Sequence, residues 1–275
     1  MKQLFHIEFE AAGDKQQVLS LRIGKQHFAF AIANKSGLEL YQLAYYSIEE
    51  WNEKCWQEIL ESNPAISNSF YEVLVAFDFS ESLLAPSKEF KTDEAGTLLN
   101  ITYGVNSQST VISESITGWQ LNNMYAVPAE IKDGVSRKFP TARFWHQYSL
   151  DVRNSIGVTE EGRLQVDFRK NEFVVIATNR NNVLLTQTFE YTTPEDVLFY
   201  LLKICNQFLL SRERVELQLS GLVDKQSSLY KELYQYFINI EFRNAQWNTG
   251  AEYPAHFFTS LNDLCTWVIH FNKEL

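Results

Sequence analysis

Apolar and polar positions alternate along two stretches of this chain, and the two stretches repeat one another. Residues 17–24, 27–34 and 37–46 read as three short strands, turning at Lys25-Gln26 and at Asn34-Lys35-Ser36-Gly37. The Gly and Asn of the second turn supply the positive φ that a tight hairpin needs. The pattern recurs at 163–169, 172–180 and 182–191, turning through Asn179-Arg180-Asn181-Asn182. At a spacing of 145 residues, Phe28-Ala-Phe-Ala-Ile-Ala-Asn34 stands over Phe173-Val-Val-Ile-Ala-Thr-Asn179. Leu40 then meets Leu185, Gln42 meets Gln187 and Tyr46 meets Tyr191, so the copies register without a gap.

Each meander is expected to enter a helix through a capping box, Ser47-x-x-Glu50 and Thr192-x-x-Glu195, with Pro194 near the first turn of the second helix. Trp51, Cys55 and Ile59, and Val197, Leu201, Cys205 and Phe208, recur at helical spacing and predict buried faces. A fourth strand follows in each half, at 71–77 and 215–219, and joins by a crossover, which makes each sheet mixed. Further on, Phe139-Pro-Thr-Ala-Arg-Phe144 resembles Phe237-Ile-Asn-Ile-Glu-Phe242 at a spacing of 98, each after a helix at about 129–138 and 226–236. The shorter spacing places an insertion of about 47 residues in the first half, near Ser80–Val127, with two or three added strands. A final helix closes each half, at about 149–156 and 259–271.

Each half therefore reads βββαβ(insert)αβα, the order of the ribonuclease-H-like fold. Two in tandem predict an α/β protein of the actin-like ATPase class: mixed five-stranded sheets with helices, one lobe at 1–157 carrying the inserted segment at about 80–127, and a second at 158–275. Leu19-Ser-Leu-Arg-Ile-Gly24, Phe139-Pro-Thr-Ala-Arg-Phe-Trp-His-Gln147 and Phe189-Glu-Tyr-Thr-Thr-Pro-Glu-Asp196 resemble segments of an uncharacterised bacterial family, the domain of unknown function numbered 3822. The resemblance implies an actin-like ATPase fold, nearest to the pilus and secretion proteins of that class, and implies no activity.

The fold class places ATP in a cleft between the halves, on two hairpin loops and a glycine pair. Each loop needs an Asp for the hydrated metal and a Gly two residues on, where backbone amides approach phosphate. The first copy has Arg22-Ile23-Gly24 at those positions and the second has Asp167-Phe168-Arg169, so neither loop is complete. The adenosine-side motif reads Leu219-Ser220-Gly221-Leu222, with one glycine of the pair. Ser220 and Gly221 are either a nucleotide contact or the end of a strand. Arg22 and Arg169 either grip a phosphate without metal or pair with neighbouring acids on the strand face. Asp78 is the best-placed hydrolytic base, or else the cap of the turn at Ser80-Glu81.

Composition narrows the partners. With 45% hydrophobic and 21% charged residues the 275-residue chain is expected to be globular, and twenty Phe, thirteen Tyr and six Trp supply core with some left for a binding surface. A formal charge of −10 with scattered basic residues argues against nucleic acid and anionic membranes. No charged-then-apolar leader opens the chain and no apolar run is long enough to span a bilayer, so a cytoplasmic location without membrane insertion is expected. Cys55, Cys205 and Cys265 are far apart and read as buried reduced thiols, while His146 and His256 read as satisfied core histidines. No metal site, catalytic group or GxxxxGK, GxGxxG, GxSxG or HExxH motif is found. The expected function is a non-catalytic binding or scaffold role toward a protein partner, with no cofactor. The alternative is an ATP-binding enzyme, an ATPase or kinase of the actin, hexokinase and Hsp70 class with substituted phosphate loops.

Overall fold

The computed structural model describes residues 1–9, 16–155, 160–180, 182–248 and 253–271, of which 267–271 by their backbone alone. Asn181 and the expected boundary at 157/158 lie outside them. The chain forms two compact units, one of Met1–Ser115, Gln120–Gln147 and Leu261–Leu275, the other of Ile116–Trp119 and Tyr148–Ser260.

In the first unit the chain runs through β1 (Lys2–Glu8), β2 (Gln17–Gly24), β3 (His27–Asn34), β4 (Leu40–Ser47), α1 (Glu53–Ser62) and β5 (Glu72–Asp78). The insertion follows as β6 (Ser82–Pro86), α2 (Ala95–Tyr103), β7 (Ser109–Ile116) and β8 (Leu121–Pro128), before α3 (Ala129–Lys138) and β9 (Arg143–His146) complete the pattern. The main sheet has the order β1-β4-β3-β2-β5-β9, and the insertion forms its own sheet, β6-β8-β7. Strand β5 runs parallel to β2 and β9 parallel to β5, as a crossover through a helix requires. Phe28, Phe30, Tyr46, Val75 and Phe77 pack with Cys55 and Ile59 of α1 and Ile131 and Val135 of α3. The insertion holds a small core of Ala95, Leu99, Met124 and Ala126.

The second unit receives α4 (Gln147–Asn154) from Tyr148 onward and continues as β10 (Arg163–Phe168), β11 (Glu172–Asn179), β12 (Asn182–Glu190), α5 (Pro194–Gln207), β13 (Glu216–Gly221), α6 (Ser228–Tyr234) and β14 (Ile240–Phe242). Its five-stranded sheet has the order β12-β11-β10-β13-β14. The last helix, α7 (Thr259–Phe271), starts in this unit and from Leu261 packs in the first, where Cys265 Sγ donates to Ser20 Oγ of β2 at 3.0 Å. The closing helices thus pack across the sequence halves.

The sheet registers test the repeat residue by residue. Leu19 faces Ile32 and Leu164 faces Ala177, which keeps the spacing of 145 through the first hairpin. Phe28 faces Tyr46, however, while Phe173 faces Phe189, so the third strands correspond at 143. The expected gapless register is corrected here. The connection from Ala33 to its partner Leu40 is two residues longer than that from Thr178 to its partner Val183, and Tyr46 matches Phe189 rather than Tyr191. The bulge nevertheless repeats, between Ile32 and Ala33 and between Ala177 and Thr178. Arg143 pairs beside Leu74 and Glu241 beside Gln218, in keeping with the spacing of 98.

The helix starts also differ from the expected ones. Ser47 ends β4, paired with Lys2 and His27, and Asn52 caps α1 by accepting from Cys55 N at 2.9 Å. Pro194 occupies the start of α5 and holds the preceding residue extended, so Thr193 with Asp196 forms the capping box, one residue after the predicted pair. Strand β1 and helix α2 are additions to the expected pattern, and β1 raises the first sheet to six strands.

Candidate functional site

Arg22 sits on β2 opposite Ala76 of β5, and Gly24 sits opposite Asp78. Directly paired residues share a face, so the small Ala76 leaves space for the guanidinium to reach along the sheet to Asp78. Nε and Nη2 of Arg22 lie 2.9 and 2.8 Å from Asp78 Oδ2, with both side chains buried. His27 Nε2 lies 3.1 Å from the same oxygen, an ion-pair distance without hydrogen-bond alignment, and its ring stacks on Tyr45. A buried carboxylate is stabilised by such partners and is costly without them.

Gly24 has a different task from the one expected of a phosphate loop. A Cβ on it would stand 2.1 Å from His27 Cε1 and 2.8 Å from the carbonyl oxygen of Asp78. The space that the missing side chain opens is taken by the imidazole. Trp51 closes the turn by donating from Nε1 to Gly24 O at 2.8 Å. His27 was not singled out in the sequence, and Trp51 was expected only on the buried face of the first helix, whereas it stands before the cap Asn52 and is half-buried. The one signal for His27 is a ring three residues after a glycine at a hairpin turn.

In the second unit Asp167 pairs across β10 and β13 with Ser220, whose hydroxyl donates to Asp167 Oδ1 at 2.9 Å. Ser260 Oγ donates to the same oxygen at 3.3 Å. Arg169 folds into its own turn: Nη1 reaches Glu172 Oε1 at 2.8 Å, and its backbone N–H bonds to Glu172 O at 2.8 Å. Gly221 has φ of +77°, and a Cβ there would stand 2.1 Å from Phe168 O. Only glycine fits that backbone, whatever else the residue does. The structure thus joins Arg22 and Gly24 to Asp78 and His27 in one unit, and Asp167 to Ser220 in the other. Both arginines meet acids.

The other reactive side chains are engaged in packing. Burial pushes the Cys205 thiol up to about 11 and the Cys265 thiol up to about 12, far from thiolate chemistry. His146 Nε2 lies 2.9 Å from Phe79 O, and His256 Nε2 lies 2.7 Å from Val223 O. Among the described residues no cluster of His, Cys, Asp and Glu is arranged to hold a metal, and no helix is long and apolar enough to cross a membrane.

The first unit also carries a groove. One cleft of about 470 Å³ lies between α1 and α3, lined by Trp51, Trp56, Gln57, Ile131, Gly134 and Arg137 among others. A second of about 390 Å³ shares Trp51, Glu130 and Ile131 with it and reaches Tyr103 and Asn106 of the insertion.

Comparison with solved structures places this architecture. A protein from Bacteroides thetaiotaomicron VPI-5482 with actin-like ATPase fold and unknown function is 18% identical, over 94% of this chain and 98% of that one, with a TM-score of 0.75. The PilM-PilN type IV pilus biogenesis complex is 12% identical over 90% of this chain and 97% of that one, with a TM-score of 0.54. The chain has the actin-like ATPase fold. It belongs to the family described as Protein of unknown function (DUF3822), whose model matches residues 6–240. No curated protein matches it.

Proposed function

We propose that this protein is a non-catalytic binding or scaffold protein that kept an actin-like fold and lost its nucleotide chemistry. The two sequence halves, about 1–157 and 158–275, are the duplicated lobes in this reading. Arg22, Gly24, Asp167, Arg169, Ser220 and Gly221 are what remains of the nucleotide loops. The observation that carries it is at Gly24, where His27 occupies the space a phosphate would need and Arg22 supplies Asp78 with the positive charge a metal would bring. No cofactor is needed for the role, and the bacterial cytoplasm is the location it suits.

The groove along α1 and α3 is the surface this reading assigns to a protein partner. Trp51 and Trp56 are half-buried there and offer apolar area to an incoming side chain, while Arg137 is exposed on the rim for an acidic one. The pilus relative is itself known in complex with a protein, which supports a partner of the same kind. Thermal unfolding with Mg²⁺ and ATP, ADP or GTP tests the reading. Ligand at a hundredfold excess over Kd stabilises by about 2.7 kcal/mol, which raises Tm by roughly 5–10 °C in a chain of this size. The expected shift is nil. A shift with any of the three restores the ATP-binding enzyme as the better account.

A further inference from the structure

The two sheets differ at one edge. In the first unit β4 is covered by β1, antiparallel from Lys2 opposite Ser47 to Glu8 opposite Gln42, and Phe9 N extends the ladder to Tyr41 O at 2.8 Å. By the register of the hairpins, the β4 residues 42–47 correspond to 185–190 of β12. Among the described residues β12 pairs with β11 alone and ends its sheet. Tyr191 N bonds inward to Asn171 O, so by strand alternation Thr186, Thr188 and Glu190 direct their backbone groups outward. β4 is buried along nearly its whole length, whereas β12 has no buried residue.

Among the described residues no strand covers this edge, and its bulge, at Leu184, lies near the start of the strand. The run Val183-Leu-Leu-Thr-Gln-Thr-Phe189 contains no charge and no proline, the devices that normally keep edge strands apart. Beside it Phe189 stacks on Tyr200 with ring centroids 4.4 Å apart, and Phe199 of α5, next to Tyr200, is 60% exposed. We infer that β12 is a self-association edge, at which two copies of this chain pair β12 to β12 antiparallel about a twofold axis through Gln187.

The occupant follows from self-complementarity. A twofold contact sets each residue against its mirror position, so a charged edge opposes like charges and a neutral one does not. With the axis at Gln187, Thr186 exchanges backbone hydrogen bonds with Thr188 of the second copy. Leu185 meets Phe189, and Gln187 meets its twin. No like charges meet across this register, and the joined sheet has ten strands. The inference is independent of whether a nucleotide binds.

Gln187 is exposed, so its substitution leaves the core of the unit intact. Sedimentation of the full chain over a concentration series is expected to show a reversible dimer. Gln187→Lys and Gln187→Glu are each expected to weaken it by roughly tenfold or more, because each sets like charges face to face. An equimolar mixture of the two variants is expected to dimerise again, through opposite charges at the axis. Hydrogen exchange at the amides of Thr186 and Thr188 is expected to slow as concentration rises. A wild-type chain that stays monomeric at the highest attainable concentration overturns the inference. So does a dimer indifferent to Gln187→Lys, and so does a mixture that fails to recover.

Discussion

The turn after β2 and the turn after β10 occupy the same place in the repeat and are stabilised by different physics. The first is built around a buried charge pair, with Asp78 Oδ2 shared between Arg22 and His27. The second sets a carboxylate among hydroxyls, Ser220 and Ser260 on Asp167, and turns its arginine back onto Glu172. The glycines beside the two turns differ as well, Gly24 at the end of β2 and Gly221 at the end of β13, next to Phe168. Gly24 makes room for a ring, and Gly221 lets two backbone segments touch at positive φ. A duplicated frame tolerates such divergence because the β-ladder, not the loop chemistry, holds the strands together. Loops tolerate change more readily than the elements they connect.

The largest expected effect lies at the charge pair. Asp78→Asn keeps the shape but removes the counter-charge beside a buried guanidinium, a change that costs about 3–5 kcal/mol. Replacing both partners, Arg22→Met with Asp78→Asn, is expected to recover much of that loss, since no uncompensated ion remains. Ser220→Ala removes one neutral donor from Asp167 and should cost about 1–2 kcal/mol. Urea unfolding of the four chains checks the ranking. A cost at Asp78 no greater than at Ser220 would show that the two turns are equivalent after all.

The glycines give the next effect. Gly221→Ala puts a Cβ against Phe168 O at a left-handed φ, for an expected loss of about 2–4 kcal/mol. No side-chain change can relieve a clash with backbone. Gly24→Ala meets His27 first, and the expected loss is about 1–3 kcal/mol. Because the nearest obstacle is a side chain, adding His27→Ala should return part of it, the rest being set by Asp78 O at 2.8 Å, for a coupling of about 1 kcal/mol in a double-mutant cycle. Zero coupling would mean that His27 does not occupy the space above Gly24.

Much of the frame was legible because burial on one or both faces writes itself into strand patterns. The strands at 17–24, 27–34 and 163–168 and the helix at 129–138 stand where the alternation and the helical spacing put them. The two-residue gap between the copies escaped notice for a physical reason. An even shift leaves every side chain on its original face, so Gln42 over Gln187 and Tyr46 over Tyr191 looked as sound as the true pairs. Strand β1 is short, with Lys2, Gln3, His6 and Glu8 diluting its alternation, and it becomes a strand because β4 offers an edge. Helix α2 has no clean apolar stripe, with Leu99 buried and Ile101 exposed two residues later. The site itself was half visible. That Arg22 would meet an acid was one of the two readings its position left open, and the identity of the acid depends on the β2–β5 register across 56 residues.

The smallest effect tests a likeness instead of a difference. The fourth strands correspond at a spacing of 144, which makes Phe79 and Val223 equivalent, and each offers its carbonyl to a buried histidine, His146 in one unit and His256 in the other. Burial lowers the pKa of His256 from 6.5, although the bond to Val223 O and the charge of Asp224 pull the other way. As pH falls through 6.5 the unfolded imidazole takes its proton while the folded one resists, so the unfolded state binds more protons and stability declines. The decline ends at the lower folded value, below which both states are protonated. Between about pH 7 and pH 5 the slope from this residue is at most about 1.4 kcal/mol per pH unit. His256→Gln removes the titration, and urea midpoints across that range should flatten relative to the wild type. Identical slopes would mean that the folded and unfolded imidazole share one pKa, with the bond to Val223 O and the charge of Asp224 offsetting burial in full.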